Sequence, residues 1–146
     1  MKAKKGVILH ADDNEGHRRI VRMVLDQLSE DYDLTQLNSG KSLEDFLNNG
    51  IRDVRLIISD NKMPPGKTGL QLILDYASKE PFLYIPFILL HAGDREIDQA
   101  AIIGGAYCTL SKFPHPDYFS RRIMDALGYS QAHLDLFYEA VSRLTA

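Results

Sequence analysis

The sequence predicts one α/β domain built on a doubly wound parallel sheet. Three observations lead there. Five short apolar runs alternate with amphipathic segments between residues 5 and 127, and strand–helix alternation is most simply satisfied by a parallel sheet with helices on both faces. The clearest run, Leu56-Ile57-Ile58, is apolar at every position, as a central strand covered on both faces must be. Finally, two of the runs end in acid: Val7-Ile8-Leu9-His10-Ala11 in Asp12-Asp13, and Val54 to Ser59 in Asp60.

The elements follow in order. Val7 to Ala11 is a buried strand. Glu15 to Leu28 is a helix that Asn14 could cap, with Ile20, Val24 and Leu28 on one stripe beside Val21 and Leu25. Asp33 to Leu37 is a weaker strand. Lys41 to Asn49 is a short helix with Leu43, Phe46 and Leu47 inward, ended by Gly50. Leu56 to Ser59 is the third strand. The Pro- and Gly-rich loop from Asn61 to Gly69 stops any helix. Leu70 to Ser78 resumes one, with Leu70, Ile73, Leu74 and Ala77 at i, i+3, i+4 and i+7. Pro81 interrupts the chain before the strand Phe87 to Leu90. Arg95 to Ile103 is a helix with Ile97, Ala100 and Ala101 inward, closed by Gly104-Gly105. Tyr107 to Leu110 is the fifth strand. Pro116 to Leu127 is the fifth helix, with Pro in its first turn and Phe119, Ile123, Ala126 and Leu127 facing in.

One segment remains, residues 128–146. Gly128 is expected to end the fifth helix, and Ser130 to cap a sixth that carries Leu134, Phe137, Tyr138, Val141 and Leu144 on one stripe. Its apolar side needs cover: its own domain, a second copy in a homodimer, or a further domain.

Composition narrows the class. With 45% hydrophobic and 25% charged residues, the chain is ordinary for a soluble globular domain. A net charge of -3 gives no general attraction to nucleic acid. Lys2, Lys4 and Lys5 read as a solvated terminus. The single Cys, Cys108, excludes an internal disulfide framework. No apolar run has membrane-spanning length, and the first is cut short by Asp12-Asp13, so it is no secretory signal. A cytoplasmic location is the expectation.

Doubly wound sheets place their sites beyond the carboxyl ends of the strands. Asp12, Asp13, Asp60, His91 and Lys112 all fall there. Asp12-Asp13 alone would pass as turn residues. Three carboxylates in one pocket, however, repel each other unless a cation joins them, and hard oxygen ligands suit Mg²⁺. Asp60 as nucleophile, Asp12 and Asp13 as metal holders and Lys112 as counter-cation make a minimal set for phosphoryl transfer to an aspartate.

Here the chain resembles the receiver domains of response regulators, which accept phosphate from sensor histidine kinases. The resemblance covers about residues 5 to 127. It rests on the strand into Asp12-Asp13, on Leu56-Ile57-Ile58-Ser59-Asp60 followed by Met63-Pro64 and Gly69, on Gly105-Ala106, and on Lys112. It implies a flavodoxin-like three-layer fold with strand order 2-1-3-4-5. Asp60 would accept the phosphoryl group. Asp13 and Asp60 would bind Mg²⁺ directly, Asp12 mostly through water, and the backbone carbonyl of Lys62 would add a contact. Lys112 would reach the phosphoryl oxygens. The implied partners are a histidine kinase or histidine phosphotransfer protein and a downstream protein target.

The chain departs from the family at four places. His91 stands where a Thr or Ser is usual. Thr109 stands where a Tyr or Phe is usual, with Tyr107 two residues earlier on the same strand face. Phe113, not Pro, follows Lys112, with Pro114 one residue late, so the usual cis bond is expected to be lost or strained. The loop from Pro64 to Gly69 is one residue longer, with a turn expected at Pro65-Gly66. Lys62 sits near the path of an attacking water. The chemistry of taking a phosphoryl group is therefore expected to be intact, while the switch that reports it is altered. The alternative is a phosphorylation-independent interaction module on a degenerate receiver fold. A phosphatase of the aspartyl-phosphate kind would need a carboxylate where Lys62 stands.

Overall fold

The structure is a computed structural model and describes residues 3–112 and 115–145. Five parallel strands form one sheet in the order β2-β1-β3-β4-β5. They are β1 (Gly6–Ala11), β2 (Tyr32–Leu37), β3 (Val54–Asp60), β4 (Phe87–His91) and β5 (Cys108–Ser111). The helices are α1 (Glu15–Leu25), α2 (Gly40–Asn48), α3 (Gly69–Tyr76), α4 (Arg95–Ile103) and α5 (Pro116–Thr145). This is the doubly wound flavodoxin-like architecture expected from the sequence.

Strand alternation sorts the core into two layers. Leu9, Ile57, Phe87 and Leu89 face one way, against Leu43, Leu47, Leu72, Ile73 and Ala101 of α2, α3 and α4. Ile8, Leu56, Ile58, Ile88 and Leu90 face the other, against Val21 and Leu25 of α1 and Phe119, Ile123, Ala126 and Leu127 of α5. The register aligns the strand ends. Ala11 pairs with Ser59, Asp60 with Leu90, and His91 with Ser111. Asp12 and Asp60 therefore end the neighbouring strands β1 and β3, and Lys112 follows β5, beyond β4, on the same rim.

The helix starts are local chemistry. Asn14 accepts a hydrogen bond from the His17 N–H, Ser39 from the Ser42 N–H, and Asp94 from the Glu96 and Ile97 N–H groups. Thr68 and Gln71 form a reciprocal capping box at α3. Gly66 takes φ 101° in the loop before it, the backbone turn expected at Pro65-Gly66.

Four expectations need correction. The expected break at Gly128 is absent, and Ser130 caps nothing. The C-terminal segment is helical, but as the continuation of a 30-residue α5 in which Ser130 is buried. Burial of Leu127 and Ser130 on either side of Gly128 outweighs the roughly 1 kcal/mol that a mid-helix glycine costs. The first helix ends at Leu25 and tightens into a 3₁₀ turn over Asp26–Leu28. Its buried stripe is His17, Val21 and Leu25, while Ile20 is half exposed. On α3, Leu72 and Ile73 are buried and Leu74 is not. Leu74 instead lies over Gly104 at the end of α4. Phe113 and Pro114, where an altered Lys112 peptide was expected, lie outside the described residues. Among the described residues, no helix is long and apolar enough to cross a membrane.

Candidate functional site

The rim gathers three carboxylates. Ligand oxygens of Asp12, Asp13 and Asp60 all lie within 4.8 Å of one another. Asp12 and Asp60 are buried, while Asp13 is exposed and opens the cluster to solvent. The Lys112 Nζ donates to Asp60 Oδ2 at 3.0 Å, and the Asn61 N–H donates to Asp60 Oδ1 at 2.8 Å. Lys112 is half buried. Desolvation disfavours its charge, but the bond to Asp60 and the fields of Asp12 and Asp13 prevail and raise its pKa.

Glycine sets the back wall. A Cβ on Gly69 would lie 2.3 Å from the Asp60 carbonyl oxygen and 2.7 Å from Leu89. Only glycine lets α3 begin this close to the acidic strand end. The Gly69 N–H donates to the Asn61 carbonyl, and the Leu70 N–H to Asn61 Oδ1. The Asn61 and Met63 carbonyls both accept backbone hydrogen bonds. The intervening Lys62 carbonyl accepts none among the described residues, and the Lys62 side chain is exposed. The three clustered carboxylates form a hard oxygen donor set that fits a divalent cation such as Mg²⁺.

A histidine that sequence reasoning missed completes the first layer around Asp12. His17, in the first turn of α1, meets Asp12 Oδ2 through Nδ1 and the Lys112 carbonyl through Nε2 at 2.8 Å. Both contacts suit an imidazolium donating twice. Burial pushes the His17 pKa down, but these two acceptors outweigh it and the net shift is upward. Asp12 mirrors this. Burial pushes its carboxyl up, and the bonds from His17 and the Asn14 N–H hold it below the usual carboxylate range. The Arg18 guanidinium donates to the Asp12 carbonyl at 2.8 Å. One clue lay in the sequence: side chains in a helix's first turn lean back toward its N-terminus, and Asn14 places that turn directly after Asp12-Asp13.

His10, buried one layer below, is neutral. Burial pushes its pKa down to about 4. Gln36 Nε2 donates to its Nδ1 at 3.0 Å, so its proton sits on Nε2, which has no partner among the described residues.

His91 joins the rim through its backbone, its carbonyl accepting from the Lys112 N–H at 2.9 Å, while its side chain turns to α4. His91 is half buried at the end of β4. Its Nδ1 accepts from the Gly93 N–H at 2.9 Å, and its Nε2 faces Asp98 of α4 at 3.3 Å. Thr109 is half buried in β5 opposite Leu89. The Tyr107 ring lies against α5, 5.3 Å from Tyr129 and beneath Arg122. It is therefore committed to helix packing.

Comparison with solved structures decides the fold. A signal receiver domain of an HD domain-containing protein from Pseudomonas fluorescens Pf-5 superposes with a TM-score of 0.78 at 22% identity, over 92% of this chain and 96% of that one. This chain has the fold of response regulator receiver domains. The Vibrio cholerae chemotaxis protein CheY4 matches at TM-score 0.71 and 21% identity, over 85% of this chain and 99% of its own. The Mn²⁺-bound form of response regulator Rcp1 matches at TM-score 0.66 and 22% identity, over 87% of this chain and 90% of its own. No protein-family model matches the sequence, and no curated protein matches it. The receiver fold is thus shared at sequence identities too low to carry function with it.

Proposed function

We propose that this chain is a phosphoacceptor receiver domain that takes a phosphoryl group onto Asp60. One observation carries the reading: a buried Asp60 held by Lys112 at 3.0 Å, with Asp12 and Asp13 oxygens within 4.8 Å. The donor is a phosphohistidine on a sensor histidine kinase or a histidine phosphotransfer protein. An Asp60 carboxylate oxygen attacks phosphorus in line with the P–N bond. That bond breaks with its electron pair going to nitrogen, and the donor ring, already protonated on its other nitrogen, leaves as neutral imidazole. Asp12, Asp13, Asp60 and the Lys62 carbonyl would hold Mg²⁺, which supplies neutralisation of the phosphoryl charge. Lys112, released from Asp60 Oδ2, holds a phosphoryl oxygen. His17 fixes Asp12 and the Lys112 backbone in place.

The product is an acyl phosphate that alters contacts with a downstream protein target. Self-phosphorylation and hydrolysis are the only chemistry required, so the chain is not a conventional enzyme. The setting would be the cytoplasm, with no direct contact to nucleic acid or membrane. The test is a small phosphoryl donor with Mg²⁺, read by intact mass. One phosphoryl adduct is expected, absent in Asp60→Asn and without Mg²⁺.

A second reading has an observation of its own. His91 is tied to Asp98 and Gly93, so the rim lacks the small hydroxyl that the resemblance expects there. On this reading the chain is a phosphorylation-independent interaction module. No Asp60-dependent adduct with any donor would favour it over the first.

A further inference from the structure

The phosphoacceptor site uses one end of the sheet. At the other, beside the N-terminal end of β3, a groove of about 880 Å³ opens. Its size falls within the roughly 300–1,000 Å³ of clefts that hold small molecules. Its walls are apolar: Ile51, Pro81, Ile85, Leu134 and Phe137. α5 forms one side, and the 3₁₀ turn Phe82–Tyr84 with its flanking residues forms another. Aromatic contacts tie these two sides together. The Tyr84 ring stacks on His133 with centroids 5.1 Å apart, and the Tyr129 ring lies 4.2 Å from the same imidazole. His133 Nδ1 also meets the Tyr129 carbonyl at 3.0 Å, where it can only donate. The groove is therefore built before any ligand arrives.

Its charge is one-sided. No Asp or Glu lines it, but two arginines do. Arg52 is exposed and makes no hydrogen bond or ion pair among the described residues. Arg55 is partly engaged. Its Nη1 donates to the Val54 carbonyl at 3.4 Å, a long bond, while its buried Nε has no partner among the described residues. Besides the arginines, only Tyr84, Ser130 and His133 bring polar side-chain atoms to the lining. That is too few to satisfy a sugar or a nucleobase, whose buried polar groups each need a partner. An apolar trough with two guanidinium groups and no counter-charge is complementary to an anionic head on an apolar body. A carboxylate fits the head, because a guanidinium meets it with paired N–H bonds.

We propose that this groove binds a monomeric medium-chain carboxylate, with its head on Arg52 and Arg55 and its chain along Leu134 and Phe137. Phe137, 61% exposed without a ligand, is covered when the chain lies there. The inference does not rest on phosphoryl chemistry, since its residues lie at the opposite end of the sheet from Asp60.

Isothermal titration of the full chain with sodium decanoate, below its micelle-forming concentration, tests this. One site per chain is expected. From hexanoate to decanoate the affinity should rise about fourfold per CH₂, the worth of burying one methylene. Decyltrimethylammonium, of equal chain length and opposite charge, should not compete. Arg52→Glu should weaken decanoate binding by about tenfold or more, the loss of a charge-assisted contact. Its circular dichroism spectrum and thermal midpoint should stay as in the wild type, since Arg52 has no partner to lose. Of the five histidine rings, His133 should be the one whose proton NMR signals shift. Absence of decanoate binding, equal binding of the ammonium, a flat chain-length series or an unchanged affinity in Arg52→Glu would each overturn the proposal. So would a dimer, seen by sedimentation, that excludes decanoate, because a second copy would then be the occupant.

Discussion

Replacing Gly128 by alanine should stabilise the protein, because the residue lies in the interior of one helix and not at the end of one. The size of the effect follows from its surroundings. A Cβ built at Gly128 meets nothing within 4 Å, and its φ is not in the left-handed region. Alanine therefore adds no clash and removes the excess unfolded-state freedom of glycine, a gain of about 0.5–1 kcal/mol. Leu127 and Ser130 are both buried, so this turn is docked and unfolds with the domain, and the gain should appear in the global transition. For a chain of this length it corresponds to roughly 2–4 °C per kcal/mol in thermal midpoint. Urea denaturation gives the same quantity as a raised midpoint at unchanged slope. Gly128→Pro is the counterpart, expected to lose about 3 kcal/mol or more of helix stability. If alanine lowers the midpoint, or proline leaves it unmoved, the chain breaks at Gly128 and the continuous α5 is wrong.

Three further perturbations address the site. Gly69→Ala forces a Cβ to 2.3 Å from the Asp60 carbonyl; equilibrium unfolding should register a loss of about 1–3 kcal/mol, and an unchanged midpoint would mean that α3 does not start against Asp60. His17→Gln should slow Asp60 phosphorylation or weaken Mg²⁺ binding by about 10–100-fold, as outer-shell partners of ligands do, with the fold intact by circular dichroism; normal metal titration and phosphorylation rates would remove His17 from the machinery. His10 should destabilise the metal-free fold in acid. Its folded pKa of about 4 lies below its unfolded value of about 6.5. The stability it contributes is therefore complete above 6.5 and falls by about 3 kcal/mol as the pH drops toward 4. His17 has the opposite sign, its contribution fading as pH rises through its raised pKa. Urea titrations in chelator should show a shallower acid limb in His10→Leu; an identical limb in the variant would refute it.

What could be read without coordinates was what burial and repetition write into the chain. β3 and β4 are nearly all apolar and their ends carry the chemistry, so Asp60 and its neighbours on the rim were legible. So was the inward set of α2, where Leu43 and Leu47 are buried and Phe46 packs half buried beside them. α1 was harder, because Ile20 and Val21 are equally apolar and only the docking angle chooses between them. His17 escaped because a lone helical histidine carries no signal until the Lys112 carbonyl, 95 residues away, is brought to it. His91 shows the same limit: its place on the rim is legible, but the partner that engages its ring, Asp98, sits on the following helix. Gly128 misled for a different reason. Its local preference is real, but it is weaker than the packing of Leu127 and Ser130.

The unbroken α5 makes the molecule a lever. The rod starts four residues after Lys112, whose backbone His17 clasps to Asp12. Thirty residues at 1.5 Å each give it about 45 Å of length. A tilt of about 5° at the Lys112 end would swing the far end by about 4 Å over that length, close to the advance of three residues along a helix. A displacement too small to remake the acidic pocket thereby moves the exposed Phe137 and Val141 by about 3 Å. The distance between the two ends is what converts a local event into a readable one.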